Sequence, residues 1–193
     1  MGTASARERL IAAAKRCFER HGVARTRVDD IAAEAKVSRA TVYRYFRDRD
    51  DLILAVLEAE ADAFLVEFRQ RLSVEAPLEE QLIDGVVFAV AAVRQDERLA
   101  LLFTPESVGI TTAVAGAWEL LFDRARTAMA PLLEAWRASG DLREDVGLDE
   151  AVEWILRMVL SLLTVPGPRE RSEDELRAFL QTFFVPGLAR PAA

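Results

Sequence analysis

One cysteine, Cys17, and one histidine, His21, supply all the thiol and imidazole chemistry of this 193-residue chain. Cys17 falls on an apolar helical stripe and reads as a small core residue. His21 precedes Gly22 and reads as part of a helix's last turn. No Cys, His or carboxylate cluster with ligand spacing surrounds either residue, so no metal and no cofactor is expected. HExxH, GxGxxG and GxxxxGKS/T motifs are absent, and with them the usual signs of metal hydrolysis and nucleotide-phosphate chemistry. No enzyme is expected, although acid–base work by carboxylates alone stays open.

What remains is the chemistry of recognition. Residues 28–49 read VDDIAAEAKVSRATVYRYFRDR. Two short helices are predicted there, joined by a tight turn at Ala35-Lys36-Val37, with Ser38 the N-cap of the second. This is the spacing of a helix-turn-helix. The second helix exposes Arg39, Thr41, Arg44 and Tyr45 and turns Val42 and Phe46 inward. Arginine can donate two bonds to guanine, and threonine can meet the thymine methyl. Tyrosine hydroxyls and a helix N-terminus can hold phosphates. The same pattern also fits an ordinary solvated helix pair in a bundle.

Charge divides the chain the same way. Residues 1–50 carry 12 Lys+Arg against 7 Asp+Glu, a surplus of +5, whereas residues 51–193 carry 13 against 25, a deficit of −12. A basic head on an acidic body keeps phosphate attraction local.

The elements that must position these groups are helical throughout. The first runs over about Ala6–Arg20, its stripe Leu10, Ile11, Ala14, Cys17 and Phe18 ending at His21-Gly22. The second covers about Val28–Ala35, the third runs from Ser38 to about Tyr45, and a long fourth starts near Arg49. Beyond Pro77, helices are predicted over about Leu78–Arg94, Glu97–Phe103, Ala113–Arg137 (with a kink at Pro131), Leu148–Thr164 and Ser172–Phe184. The fold expected is all-α, with about nine helices. A three-helix DNA-binding head, residues 1–48, is joined through the long fourth helix to a helical-bundle body, residues 49–193. No charge-free stretch exceeds twelve residues, short of a membrane span. No signal peptide is read, so a cytoplasmic protein is expected.

Ala13-Ala14, Phe18, Gly22, Asp30-Ile31-Ala32, Val37-Ser38, Thr41-Val42-Tyr43, Tyr45-Phe46 and Leu52 follow one another without insertion. With these, residues 5–57 resemble the DNA-binding head of the TetR family, the tetracycline-repressor-like bacterial regulators. The resemblance implies that the third helix, capped by Ser38, is the recognition helix. Arg39, Ala40, Thr41 and Arg44 would then face the groove, and Tyr43 and Tyr45 would touch phosphate. Arg49 stands where the family usually has a phosphate-touching lysine. Two positions depart from the pattern. Arg27 replaces a Thr or Ser cap and adds a cation that could reach phosphate or a base. Lys36 replaces the turn glycine, and should it need positive φ it carries a strain of roughly 1 kcal/mol.

A single head reads a half-site, so a homodimer on a near-palindromic duplex is expected. The last two helices hold more apolar surface than one core needs. Leu156, Val159, Leu160, Leu163, Leu176, Phe179, Leu180 and Phe183 are the candidates for the interface, or else they close the monomer's own core. The resemblance also implies a small-molecule cavity in the body. Phe64, Phe68, Phe88, Phe103, Trp118 and Phe122 could line it or be plain core. Arg157 and Ser161, four apart on one face, could meet a ligand's polar end or pair with a nearby acid. The function expected is a sequence-specific repressor released by a largely apolar effector. The alternative is a helical DNA-binding regulator without an effector, constitutive or activating.

Overall fold

The first helix begins because Ser5 and Glu8 satisfy each other's backbone. Ser5 N donates to Glu8 Oε2 at 2.7 Å and Glu8 N to Ser5 Oγ at 3.2 Å, a capping box. The computed structural model describes residues 5–71, 76–95, 116–165 and 167–190. Its helices are α1 (Ala6–His21), α2 (Val28–Glu34), α3 (Arg39–Tyr45), α4 (Arg49–Arg71), α5 (Leu78–Gln95), α6 (Ala117–Ser139), α7 (Leu148–Thr164) and α8 (Glu173–Phe183), followed by a 3₁₀ turn at Val185–Gly187. The only pairing outside helices among the described residues is an isolated antiparallel bridge, Leu142 to Ala189. The expected helix at Glu97–Phe103 lies outside the described residues.

The chain divides into two compact units, Met1–Ala61 with Gln95–Leu120, and Asp62–Arg94 with Leu121–Ala193. The division falls inside α4, further along than the head–body boundary expected at Arg49. The reason is packing: Leu52, Ile53, Ala55, Val56 and Leu57 are all buried, and Glu60 pairs with Lys15 of α1 at 2.7 Å. The first three turns of α4 therefore complete the core of the first unit.

In that unit α1 buries Leu10, Ile11, Ala13, Ala14, Cys17 and Phe18. It stops at Gly22, whose φ of 74° belongs to the region glycine enters without a Cβ penalty. Buried Thr26 closes the turn by donating its hydroxyl to the Gly22 carbonyl at 2.8 Å and to that of Cys17 at 3.2 Å. Val42 and Phe46 of the α3 segment are buried as expected, and the Arg7 guanidinium lies 5.4 Å from the Phe46 ring centre.

The second unit is built on α5, which is apolar nearly all round. Leu82, Ile83, Val86, Val87, Ala89, Val90 and Val93 are all buried. Leu133 and Trp136 of α6, Val152 and Ile155 of α7, and Leu176 and Leu180 of α8 join the same core. The α6 helix runs on through exposed Pro131. Behind α8, fully buried Phe184 anchors the chain's return. There Arg143 N donates to Leu188 O at 2.9 Å and Arg190 N to Asp141 O at 2.8 Å.

Candidate nucleic-acid interface and body cavity

The turn between α2 and α3 is set by where the last carbonyls of α2 find donors. Val37 N bonds Ala32 O at 2.9 Å and Lys36 N bonds Ala33 O at 3.1 Å. This six-to-one, five-to-two pair is a Schellman ending, which needs a left-handed residue between helix and exit. Lys36 is that residue, with φ of 56°. The conditional expectation about its strain is thus met. Ser38 then starts α3: its Oγ accepts from Thr41 N at 3.2 Å and lies 3.0 Å from Thr41 Oγ1. At the start of α2, Arg27 offers no side-chain cap, but its backbone N–H donates to Asp30 Oδ2 at 2.8 Å. Half of a capping box survives the loss of Thr or Ser.

Arg16 and Arg20 brace α2 against α1. Arg16 Nε reaches Glu34 Oε1 at 2.6 Å, and Arg20 bonds the other carboxylate oxygen. The two guanidiniums hold the Glu34 carboxyl below the usual glutamate range, Arg16 being the larger cause.

One face of α3 is open. Arg39, Ala40, Tyr43, Arg44 and Tyr45 are exposed and Thr41 is half-buried. Arg39 Nη1 lies 3.2 Å from Asp29 Oδ2 and Nη2 donates to Tyr43 Oη at 3.1 Å. Both partners are well exposed, so this pair costs little to open. The Arg44 guanidinium lies 5.2 Å from the Tyr45 ring centre. Among the described residues, neither Lys36 nor Arg27 has a carboxylate partner, and both are exposed.

Arg49 has partners within its own chain. Its Nε donates to Thr26 O at 3.0 Å and its Nη2 to Val23 O, so the half-buried guanidinium ties α4 to the α1–α2 turn. A phosphate contact would have to compete with those carbonyls. Two residues earlier, Arg47 is almost fully exposed, with a distant contact to Asp51 at 3.9 Å. It is a cation that the motif reading passed over. Its signal in the sequence is a second arginine immediately ahead of α4.

In the second unit, Phe64, Phe68 and Phe88 come together with ring centres 5.8–6.2 Å apart. Phe64 and Phe68 border an apolar cavity of about 80 Å³ that Leu156 and Val159 also line. Phe122 packs against the core. Trp118 is exposed and is grouped with the other unit. Phe103 lies outside the described residues. Arg157 is exposed and paired with Glu153 at 2.6 Å, and Ser161 is exposed. These two residues are therefore on the surface and not at the cavity. A larger cleft of about 600 Å³ opens between the start of α5 and the second half of α6, lined by Pro77, Gln81, Leu132 and Trp136 among others. None of the five predicted aromatics among the described residues lines it.

The family model for bacterial regulatory proteins of the tetR family matches residues 10–56. An HTH-type transcriptional regulator of Mycobacterium tuberculosis is 30% identical over 191 residues, spanning 99% of this chain and 89% of the relative. This chain belongs to the TetR family. It is a DNA-binding transcriptional regulator. A further relative, the regulator HbdR of Aromatoleum, is 33% identical over 102 residues, 52% of this chain and 44% of that protein. Among solved structures the fold is shared with RolR in complex with resorcinol, at TM-score 0.72 and 19% identity, covering 95% of this chain and 87% of that one. It is also shared with the TetR-family repressor AlkX from Dietzia, at TM-score 0.67 and 22% identity, covering 97% of each chain.

For a TetR-family chain the last two helices are of interest as a surface. The structure splits their apolar residues. Leu176 and Leu180 face inward and belong to the unit's own core, so they are not available to a partner. Leu156, Val159, Leu160, Leu163 and Phe179 are half-buried. Phe183 is 65% exposed and packs its ring 5.1 Å from that of Phe179. Val165 and Trp154, which the sequence reading did not single out, are 62% and 38% exposed.

Proposed function

We propose that this regulator is a homodimeric repressor that binds a near-palindromic operator and leaves it when a small molecule enters the Asp62–Ala193 part of the chain. The observation that carries the reading is the open face of α3. Arg39, Thr41 and Arg44 stand on one short capped helix together with Tyr43 and Tyr45, and Arg27 and Lys36 are exposed cations without a carboxylate partner among the described residues. That is the composition expected where base edges are read between two rows of phosphate contacts. The head of residues 1–48 does the reading, with Ser38 and Ala40 at the groove-facing start of α3. Arg47 joins the phosphate contacts, and Arg49 acts first as the brace of its own turn. The reading is one of binding and not of catalysis.

Dimerisation through α7 and α8 is supported by exposed Phe183 and Val165 beside half-buried Leu160, Leu163 and Phe179. An effector is supported by the 600 Å³ cleft, within the roughly 300–1,000 Å³ of small-molecule sites. RolR was solved with resorcinol and a Bacillus subtilis FadR with stearoyl-CoA. By analogy, a largely apolar ligand suits this chain. Residues on both sides of the unit division belong to α4, so a ligand that prefers one setting of that helix would weaken operator binding, and DNA would weaken the ligand equally.

The test is selection of bound fragments from a random duplex pool by the full-length protein at low salt. A near-palindrome should be enriched, and Arg39→Ala and Arg44→Ala should each relax preference at particular bases. No enriched palindrome would sink the reading.

A further inference from the structure

Among the described residues, two buried polar atoms in the second unit have no hydrogen-bond partner, Gln81 Oε1 and Trp136 Nε1. Gln81 is 6% exposed and Trp136 5%. Both residues line the same cleft. Gln81, Leu132 and Trp136 line the 600 Å³ cleft and also the small apolar cavity, so they form the partition between the two. An acceptor and a donor left unpaired on one wall are unusual, since buried side-chain polar atoms are nearly always satisfied.

The orientation of the glutamine is set by chemistry. Gln81 Nε2 donates to the Ala76 carbonyl. A carbonyl can only accept, so the amide cannot be turned over, and Oε1 is the atom left without a donor. The indole N–H of Trp136 can only donate. The wall therefore asks for a group that gives one hydrogen and takes another. A carboxylate can satisfy the indole but opposes the glutamine oxygen. An ammonium can satisfy the glutamine but opposes the indole. A hydrocarbon satisfies neither. The charged side chains at the cleft, Arg69 and Asp141, are exposed. Asp141 is held by Ser139 Oγ at 2.6 Å. They lie at the rim and not at the buried wall.

We infer that this partition is the polar seat of the effector site and that it selects neutral, otherwise apolar molecules bearing a hydroxyl or amide group. The group donates to Gln81 Oε1 and accepts from Trp136 Nε1, while the apolar part lies along Leu132 and Pro77. This deepens the effector reading above and rests on it. The seat is distinct from Arg157 and Ser161, the polar pair suggested by sequence.

The experiment titrates the full-length wild-type protein with phenylbutanol, phenylbutanamide, phenylbutanoate and butylbenzene, following the indole N–H signals of its three tryptophans by nitrogen-resolved NMR. Trp136→Phe assigns the Trp136 signal. The alcohol or the amide should shift that signal saturably and bind at least about tenfold more tightly than the acid or the hydrocarbon, the worth of one satisfied buried hydrogen bond. Gln81→Leu should weaken both polar probes about tenfold and leave butylbenzene unchanged. Equal affinity for all four probes, the acid binding best, or no saturable shift of Trp136 with any probe overturns the inference. The wild-type comparison decides even if Gln81→Leu does not fold. Operator affinity measured on the same samples separates the two readings. Normal operator binding without a Trp136 shift removes the seat alone. A Trp136 shift with operator affinity unchanged keeps the seat but removes its part in regulation.

Discussion

Replacing Lys36 by glycine should make the protein more stable, although it removes a long side chain from a helix-turn-helix. Lys36 holds φ of 56° in the Schellman turn that ends α2. An L-residue there costs roughly 1–2 kcal/mol. Glycine avoids that cost but loses roughly 0.4–1 kcal/mol to the greater freedom of its unfolded chain. The balance favours Lys36→Gly over Lys36→Ala by roughly 0.5–1 kcal/mol, the alanine keeping the strain while also losing the charge. In a protein of this size that is a melting difference of about 1–4 °C. Calorimetry of both variants at equal concentration reads it directly. Operator binding then isolates the charge. Both variants remove one exposed cation per protomer, so both should lose affinity alike, and the slope of log affinity against log salt should fall by about 2 for a dimer. Lys36→Gly no more stable than Lys36→Ala would refute the strain argument. An unchanged salt slope in both would remove Lys36 from the phosphate contacts.

Arg49→Lys keeps a cation but loses the planar fork that holds the Val23 and Thr26 carbonyls. Denaturant unfolding should show a loss of about 1–3 kcal/mol, whereas full stability with weakened DNA binding would restore the phosphate role. Phe183→Glu should give a folded monomer by ultracentrifugation, because the side chain is already 65% exposed in the single chain. Leu180→Glu, at a fully buried position, should instead unfold it, and an intact Phe183→Glu dimer would move the interface elsewhere. Glu34, its folded pKa lowered by Arg16 and Arg20, contributes stability that is whole above the ordinary glutamate range and is lost as pH falls through the lowered folded value. Glu34→Gln should therefore flatten the melting temperature below about pH 5, and a slope as steep as wild type would assign the acid sensitivity to other carboxylates.

The helices around the α2–α3 turn were legible in the sequence because they rest on local rules. Ser38 caps α3, Gly22 stops α1, and the apolar period of α1 names its buried face, each from neighbours within a few residues. Even the strain at Lys36 could be posed in advance, since turn geometry is also local. Tertiary structure decided what depends on the far side of a contact. Arg49, read from the family resemblance as a phosphate contact, also holds a loop more than twenty residues earlier in the chain. The apolar stripe of α8 was legible, but which of its residues faced inward was set by α5, α6 and α7, so Leu176 and Leu180 went to the core and Phe183 to the surface. The aromatic positions proposed for a cavity shared a helical period with ordinary core, and only packing could tell the two apart. Gln81 and Trp136 carried no signal in the sequence. They lie on different helices some fifty-five residues apart, and the lack of a partner is a property of the whole surroundings of an atom.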